Sequence, residues 1–274
     1  MAAMNDPDLL VNVIAGGAHM LKQFGHTIDN VRSDGYLNIQ IVNYLNEDDN
    51  TDTDIAMAYR RAVDAFVAIL KVDPPDFVFI LGDRWEMLAV ASAASLLRIP
   101  IAHHSGGDIT QGSLDNQNRY VITSFSHLHF VSLPQHKERL IRMGEERWRV
   151  SVTGEPALTM LHDYDFSKTD FRSELNLSPK DKFVLATFHP TTYENQPLIK
   201  QINLFVEALD LIKNNIILTA PNADPGCGLI ITVLSEYARK RNNVHLFENL
   251  GIKIFYAAMV DALFMIGNSS SGAD

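Results

Sequence analysis

Short apolar or β-branched runs alternate with amphipathic stretches along nearly the whole chain, the pattern of parallel strands covered by helices. The runs predict strands at 10–15, 39–44, 77–81, 101–104, 128–132, 149–153, 183–187, 216–219, 244–247 and 262–266. Between them, Ile55, Tyr59, Ala62, Val63, Phe66, Val67 and Leu70 recur at helical spacing and predict a helix over 52–72 with one buried face. Asp73-Pro74-Pro75 stops it. The stretch 194–213 repeats the pattern with Ile199, Ile202, Phe205, Val206, Leu209 and Ile212, and 87–97 reads as an alanine-rich helix. From residue 154 to 182 the strand signal lapses while Asp, Ser, Lys and Arg thicken. This predicts two α/β domains, 1–155 and 156–274, with a ligand crevice at the carboxyl ends of their strands.

Composition narrows the class. The net charge of −10 argues against a nucleic-acid binder, which needs clustered Lys and Arg to neutralise phosphates. No segment reaches the length of a membrane span. The opening residues carry no basic n-region, which argues against a secretory signal. One cysteine, Cys227, excludes an internal disulfide and fits a reducing, cytoplasmic setting.

Polar clusters stand at five predicted strand ends. Gly82-Asp83-Arg84-Trp85-Glu86 opens the alanine-rich helix, where Asp83 or Glu86 also reads as a simple N-cap. His103-His104-Ser105-Gly106-Gly107-Asp108 follows the next strand, with Asp115, Asn116 and Arg119 soon after. The paired glycines indicate close backbone approach or positive φ, and a plain loop remains the alternative. A metal site from His103, His104, His127 and His129 is disfavoured. Adjacent strand residues face opposite sides, and no acidic or cysteine partner sits at ligand spacing. His189-Pro190 places a histidine where it serves as acid or base near neutral pH, or as a structural residue. Asn222-Ala223-Asp224-Pro225-Gly226 forms a turn in any case. The strand at 262–266 runs into Gly267-Asn268-Ser269-Ser270-Ser271-Gly272, a small-residue loop of the kind that presents hydroxyls and N–H groups to phosphate.

Taken in order, the segments at 82–86, 106–108, Asp115 with Arg119, Ser126-His127-Leu128-His129-Phe130, His189-Pro190, 221–224 and 267–272 resemble those of the hydrolysing UDP-N-acetylglucosamine 2-epimerase family. The resemblance implies the GT-B fold, two Rossmann-type domains with a nucleotide-sugar cleft between them. It implies conversion of UDP-N-acetylglucosamine and water into UDP and N-acetylmannosamine, as in sialic acid biosynthesis. UDP-N,N′-diacetylbacillosamine is the alternative substrate, and a catalytically silent nucleotide-sugar binder or a GT-B glycosyltransferase are rival functions. The implied route is anti elimination of UDP to a 2-acetamidoglucal, then addition of water. No cofactor or metal is implied, and the partners are a small UDP-sugar and further copies of the chain in a homo-oligomer.

Carried over residue by residue, Asp83, Asp108 and Asp115 would be the acid/base or sugar-positioning carboxylates, and His189 would sit near the glycosidic oxygen. Arg84, Ser105, Arg119 and Asn222 would bind substrate, and Ser269, Ser270, Ser271 and Gly272 would hold the diphosphate. The chain departs from the family where Ser105 replaces Glu or His, Asn116 replaces an acid, and Tyr120 replaces His. Family members also open on a strand carrying Gly-Thr-Arg and continue past Ser-Ser-Ser-Gly into a Glu-bearing helix. The expectation is therefore a chain truncated at both ends, with both domains incomplete.

Overall fold

A computed structural model describes the chain apart from residues 1, 2, 37, 164, 167, 168, 192, 194, 195 and 270–274, and the side chains of 159, 160 and 163. Ten strands form three parallel sheets among the described residues. β1 (Val13–Gly16) pairs with β2 (Ile39–Val42), and α1 (Ile28–Ser33) lies between them in sequence. α2 (Asp52–Val72) starts at a capping box in which the Thr51 hydroxyl accepts from Asp54 N and the Asp54 carboxylate accepts from Thr51 N. Its buried residues Ile55, Ala58, Ala62, Phe66 and Leu70 form the single apolar face that the sequence pattern predicts.

The second sheet runs in the order β3 (Val78–Leu81), β4 (Ile101–His104), β5 (Leu128–Val131), β6 (Val150–Val152). α3 (Trp85–Leu96), α4 (Leu114–Phe125) and α5 (Pro134–Met143) connect these strands. Two short helices, α6 (Pro156–Asp163) and α7 (Phe171–Glu174), lead to the third sheet. That sheet has the order β10 (Met265–Gly267), β7 (Phe183–Thr187), β8 (Asn215–Thr219), β9 (Val244–Phe247), joined through α8 (Leu198–Leu209), α9 (Cys227–Arg239) and α10 (Gly251–Asp261). From β7 the chain proceeds to β8 and β9 on one side, then returns to place β10 on the other. The order therefore reverses between β7 and β10, and parallel sheets open a ligand crevice at such a reversal.

β1 and β2 form a sheet of their own. Two strand bounds are corrected: β1 begins at Val13 rather than residue 10, because pairing starts where Val13 meets Ile39, and the strand expected over 262–266 is β10, Met265–Gly267, paired with β7 from Leu185 on. Leu10 is 84% exposed. One apolar cluster runs from Val42 and Tyr44 through α2, Ile80 and α3 and takes in Ala223 and Cys227, so it joins the first and last parts of the chain.

Candidate active site

His103 is wholly buried, with Nε2 2.9 Å from the Gly82 carbonyl and Nδ1 3.3 Å from Thr123 Oγ1. A carbonyl only accepts, so Nε2 carries the proton and Nδ1 accepts from Thr123. The imidazole thus ties the end of β3 to α4. Burial, outweighing the Gly82 bond, lowers its pKa to about 4. The other histidines of the disfavoured metal cluster are also engaged. His127 Nδ1 accepts from Ile101 N at 3.3 Å, His129 lies 3.1 Å from Glu145, and His104 meets Ser105 and Gly154.

Gly82, at φ 89°, turns the chain out of β3 into Asp83 and Arg84. Neither Asp83 nor Glu86 caps α3, contrary to the simple capping alternative. The N-cap is Arg84, whose side chain makes no capping bond, because both carboxylates are taken by arginines. Arg119 Nη2 donates to Asp83 Oδ2 and, at 2.9 Å, to Thr110 Oγ1. Arg84 reaches Glu86 Oε2 at 3.3 Å and Asp224 Oδ1 at 3.0 Å. Burial works against the Arg84 charge, yet Glu86, Asp224 and Asp115 outweigh it and hold the guanidinium's pKa above its ordinary value. The Arg84–Asp224 pair links the loop after β3 to the loop after β8.

α4 supplies two groups from one face. Ser113 caps it, its hydroxyl accepting from Asp115 N and donating to Asp115 Oδ2, both at 3.1 Å. Asp115 and Arg119 lie four residues, about one turn, apart. Burial, then repulsion from Asp83 and Asp224, raises the Asp115 pKa to about 6. Arg119 is 5% exposed, and its Nε and Nη1 find no hydrogen-bond partner among the described residues.

His189 stands at the strand-order reversal. Asn268, just past β10, accepts from His189 N at 2.7 Å and donates to His189 O at 2.9 Å, fixing its backbone on both sides. Asn222 N donates to His189 Nδ1 at 3.4 Å, which leaves the ring proton on Nε2. Burial lowers the His189 pKa, while Asp224 opposes that shift and Arg84 adds to it. A cavity of about 260 Å³ opens beside it, lined by His189, Asn222 and Ser269 together with Glu248, Gly251 and Phe255 among others.

Of the residues singled out in the sequence, Asp83, Arg84, Asp115 and Arg119 form one charged cluster, Asp224 connects it to Asn222 and His189, and Ser269 lines the cavity with both. Asp108 does not join it. Its side chain is 51% exposed, lies 3.6 Å from His136 and accepts from Ile109 N. Gly107, at φ 81°, lies against the His136 carbonyl and accepts from Arg139, so this turn packs on α5. Ser105 pairs with His104. Ser270, Ser271 and Gly272 lie outside the described residues. Asp224 and Glu86 also belong to the site, although in the sequence a turn signal and a capping signal account for them.

The family model described as UDP-N-acetylglucosamine 2-epimerase matches residues 1–273. A GDP/UDP-N,N′-diacetylbacillosamine 2-epimerase (hydrolyzing) of Campylobacter jejuni is 38% identical over 98% of this chain and 70% of its own length. A UDP-N-acetylglucosamine 2-epimerase of Neisseria meningitidis is 29% identical over 98% and 69%. Among solved structures, UDP-GlcNAc 2-epimerase of Methanocaldococcus jannaschii in complex with UDP-GlcNAc and UDP superposes with TM-score 0.68 at 18% identity, over 94% of this chain and 78% of that one. Its fold is thus the α/β GT-B type. The charged cluster at the strand ends, the histidine at the strand-order reversal and the match over nearly the full sequence agree: the chain belongs to the UDP-N-acetylglucosamine 2-epimerase family.

Proposed function

We propose that this chain is a hydrolysing 2-epimerase of a UDP-linked 2-acetamido sugar, built as two domains, 1–155 and 156–274, that contribute to one cleft. The observation that carries the reading is the convergence of Asp83, Arg84, Asp224 and His189 from strand-end loops of two sheets with Asp115 from the first turn of α4, His189 lining a cavity. The cavity volume of about 260 Å³ falls at the small end for ligand pockets, and so suits one part of a nucleotide sugar.

The nucleotide occupies the cavity beside the first turn of α10, with Ser269 toward the diphosphate. His189, neutral with its proton on Nε2, donates to the departing phosphate oxygen. Inversion at C2 requires a proton to leave one face of the ring and another to arrive on the opposite face. Two carboxyl groups meet that need, and Asp83 and Asp115 are the pair. With a pKa of about 6, Asp115 is a stronger base than an ordinary carboxylate and still ionised at neutral pH. Arg119 holds Asp83 in place for the sugar, and Arg84 holds the two loops together.

The Campylobacter relative at 38% identity and a Legionella pneumophila relative at 31% are both named for diacetylbacillosamine substrates, which favours UDP-N,N′-diacetylbacillosamine. UDP-N-acetylglucosamine is the second reading, supported by the Neisseria relative at 29%. The test incubates the purified protein with each nucleotide, following UDP by coupled assay and the sugar by mass spectrometry. Release of UDP with a 2-epimerised free sugar, abolished in His189→Ala, is expected. Binding of UDP without turnover of either nucleotide refutes the reading.

A further inference from the structure

Ser105 directly follows β4, and its hydroxyl faces a base. Its Oγ lies 3.0 Å from Nδ1 of His104. His104 is buried, and its Nε2 lies 3.2 Å from the Gly154 carbonyl. That carbonyl can only accept, so the ring proton is on Nε2, Nδ1 is the acceptor, and the Ser105 hydroxyl donates to it. A hydroxyl, a base facing it and a fixed acceptor orienting that base make up the arrangement by which a serine becomes a proton carrier. The backbone adds a second observation. Ser105 has φ 75°, a left-handed conformation that non-glycine residues adopt under strain and that concentrates at functional positions. The register pairing Leu81 with His104 carries Ser105 alongside Gly82, one residue from Asp83.

We propose that Ser105 and His104 form the proton-transfer pair that activates water in the hydration half of the reaction, an inference that rests on the epimerase reading above. Water oxygen bonds to C1 of the 2-acetamidoglucal while the π electrons of C1=C2 take a proton at C2 from the carboxyl group that did not act as base, which enters this step protonated. The proton lost by the water passes to Ser105 Oγ as the hydroxyl proton moves to His104 Nδ1. His104 returns it to the carboxylate that supplied C2, and the proton removed from C2 during elimination leaves with solvent.

Wild type, Ser105→Ala and Ser105→Gly are incubated with UDP-N,N′-diacetylbacillosamine and with UDP-N-acetylglucosamine, and UDP, free glycal and hydrated sugar are quantified. Ser105→Gly relieves the backbone strain, so it folds whatever the role of the hydroxyl. Wild type is expected to give UDP and hydrated sugar one to one. Both variants are expected to keep releasing UDP, accumulate glycal and lose about 100-fold in hydrated sugar relative to UDP. A one-to-one ratio in Ser105→Gly, or loss of UDP release in both variants, overturns this proposal while leaving the epimerase reading intact. A wild type inert toward both nucleotides overturns that reading and this proposal with it.

Discussion

Replacing Asp115 by Asn separates what the carboxylate does for catalysis from what it costs the fold. In the native structure its pKa rises from 3.8 to about 6 because burial, Asp83 and Asp224 all disfavour the charged form. The folded protein therefore binds more protons at this site than the unfolded chain between about pH 4 and pH 6, and stability falls as pH rises through that window. The full shift corresponds to a cost of about 3 kcal/mol above pH 6. The side chain keeps some contact with water, which reduces this to about 1–2 kcal/mol. Asn preserves the acceptor that Ser113 donates to and carries no charge. Asp115→Asn is thus expected to melt about 2–6 °C above wild type at pH 8, with the gap closing toward pH 4, while sugar turnover falls by at least 100-fold. Paired thermal melts across pH 4 to 8 read this directly, and contributions shared by the two proteins cancel in the difference. A gap that does not change with pH, or a variant less stable than wild type at pH 8, refutes the electrostatic account.

Three further outcomes follow from the geometry. His103→Gln removes a group whose pKa drops from 6.5 to about 4 on folding. Since the unfolded chain then binds more protons, wild-type stability should fall as pH drops from 6.5 to 4, and denaturant titrations of the variant should show a flatter slope there. Asp224→Asn leaves Arg84 with Glu86 alone and should lower stability by about 1.5–3 kcal/mol and kcat/KM by tenfold or more. Unchanged kinetics would show that the link between loops is dispensable. Gly267→Ala places a Cβ onto the Thr187 carbonyl oxygen at φ 143°, so β10 must separate from β7, and urea melts should show a loss of at least about 3 kcal/mol.

Much of the architecture is legible in the sequence because a buried parallel strand is an unbroken apolar run between turn residues. β7 begins and ends where such a run does, and β4 and β9 keep their expected bounds although His103, His104 and His245 interrupt the apolar pattern. The ends of other elements are set by contacts that local pattern does not contain. The helix expected over 194–213 is described as Leu198–Leu209, with Pro197 as its N-cap. The split between β1–β2 and the β3–β6 sheet likewise depends on which edges meet. The same limit holds at the site. Asp83, Asp115, Arg119 and His189 stand out as polar groups after apolar runs, but the pairing of Arg84 with Asp224 across 140 residues leaves no local trace. Nor does the turn that keeps Asp108 beside His136, since its cause is the packing of Gly107 against α5.

Asn50 accepts from Gly228 N at 2.9 Å, closing the first turn of α9 from 178 residues away. During synthesis at 5–20 residues per second, that asparagine waits on the order of 10–35 s for its partner to emerge, and Arg84 waits nearly as long for Asp224. The loops that build the candidate site therefore spend the early part of the chain's life exposed and unpartnered. Completion of the cleft therefore waits until synthesis has passed Asp224 and Gly228, so termination or a long pause before that point would leave the charged cluster half made.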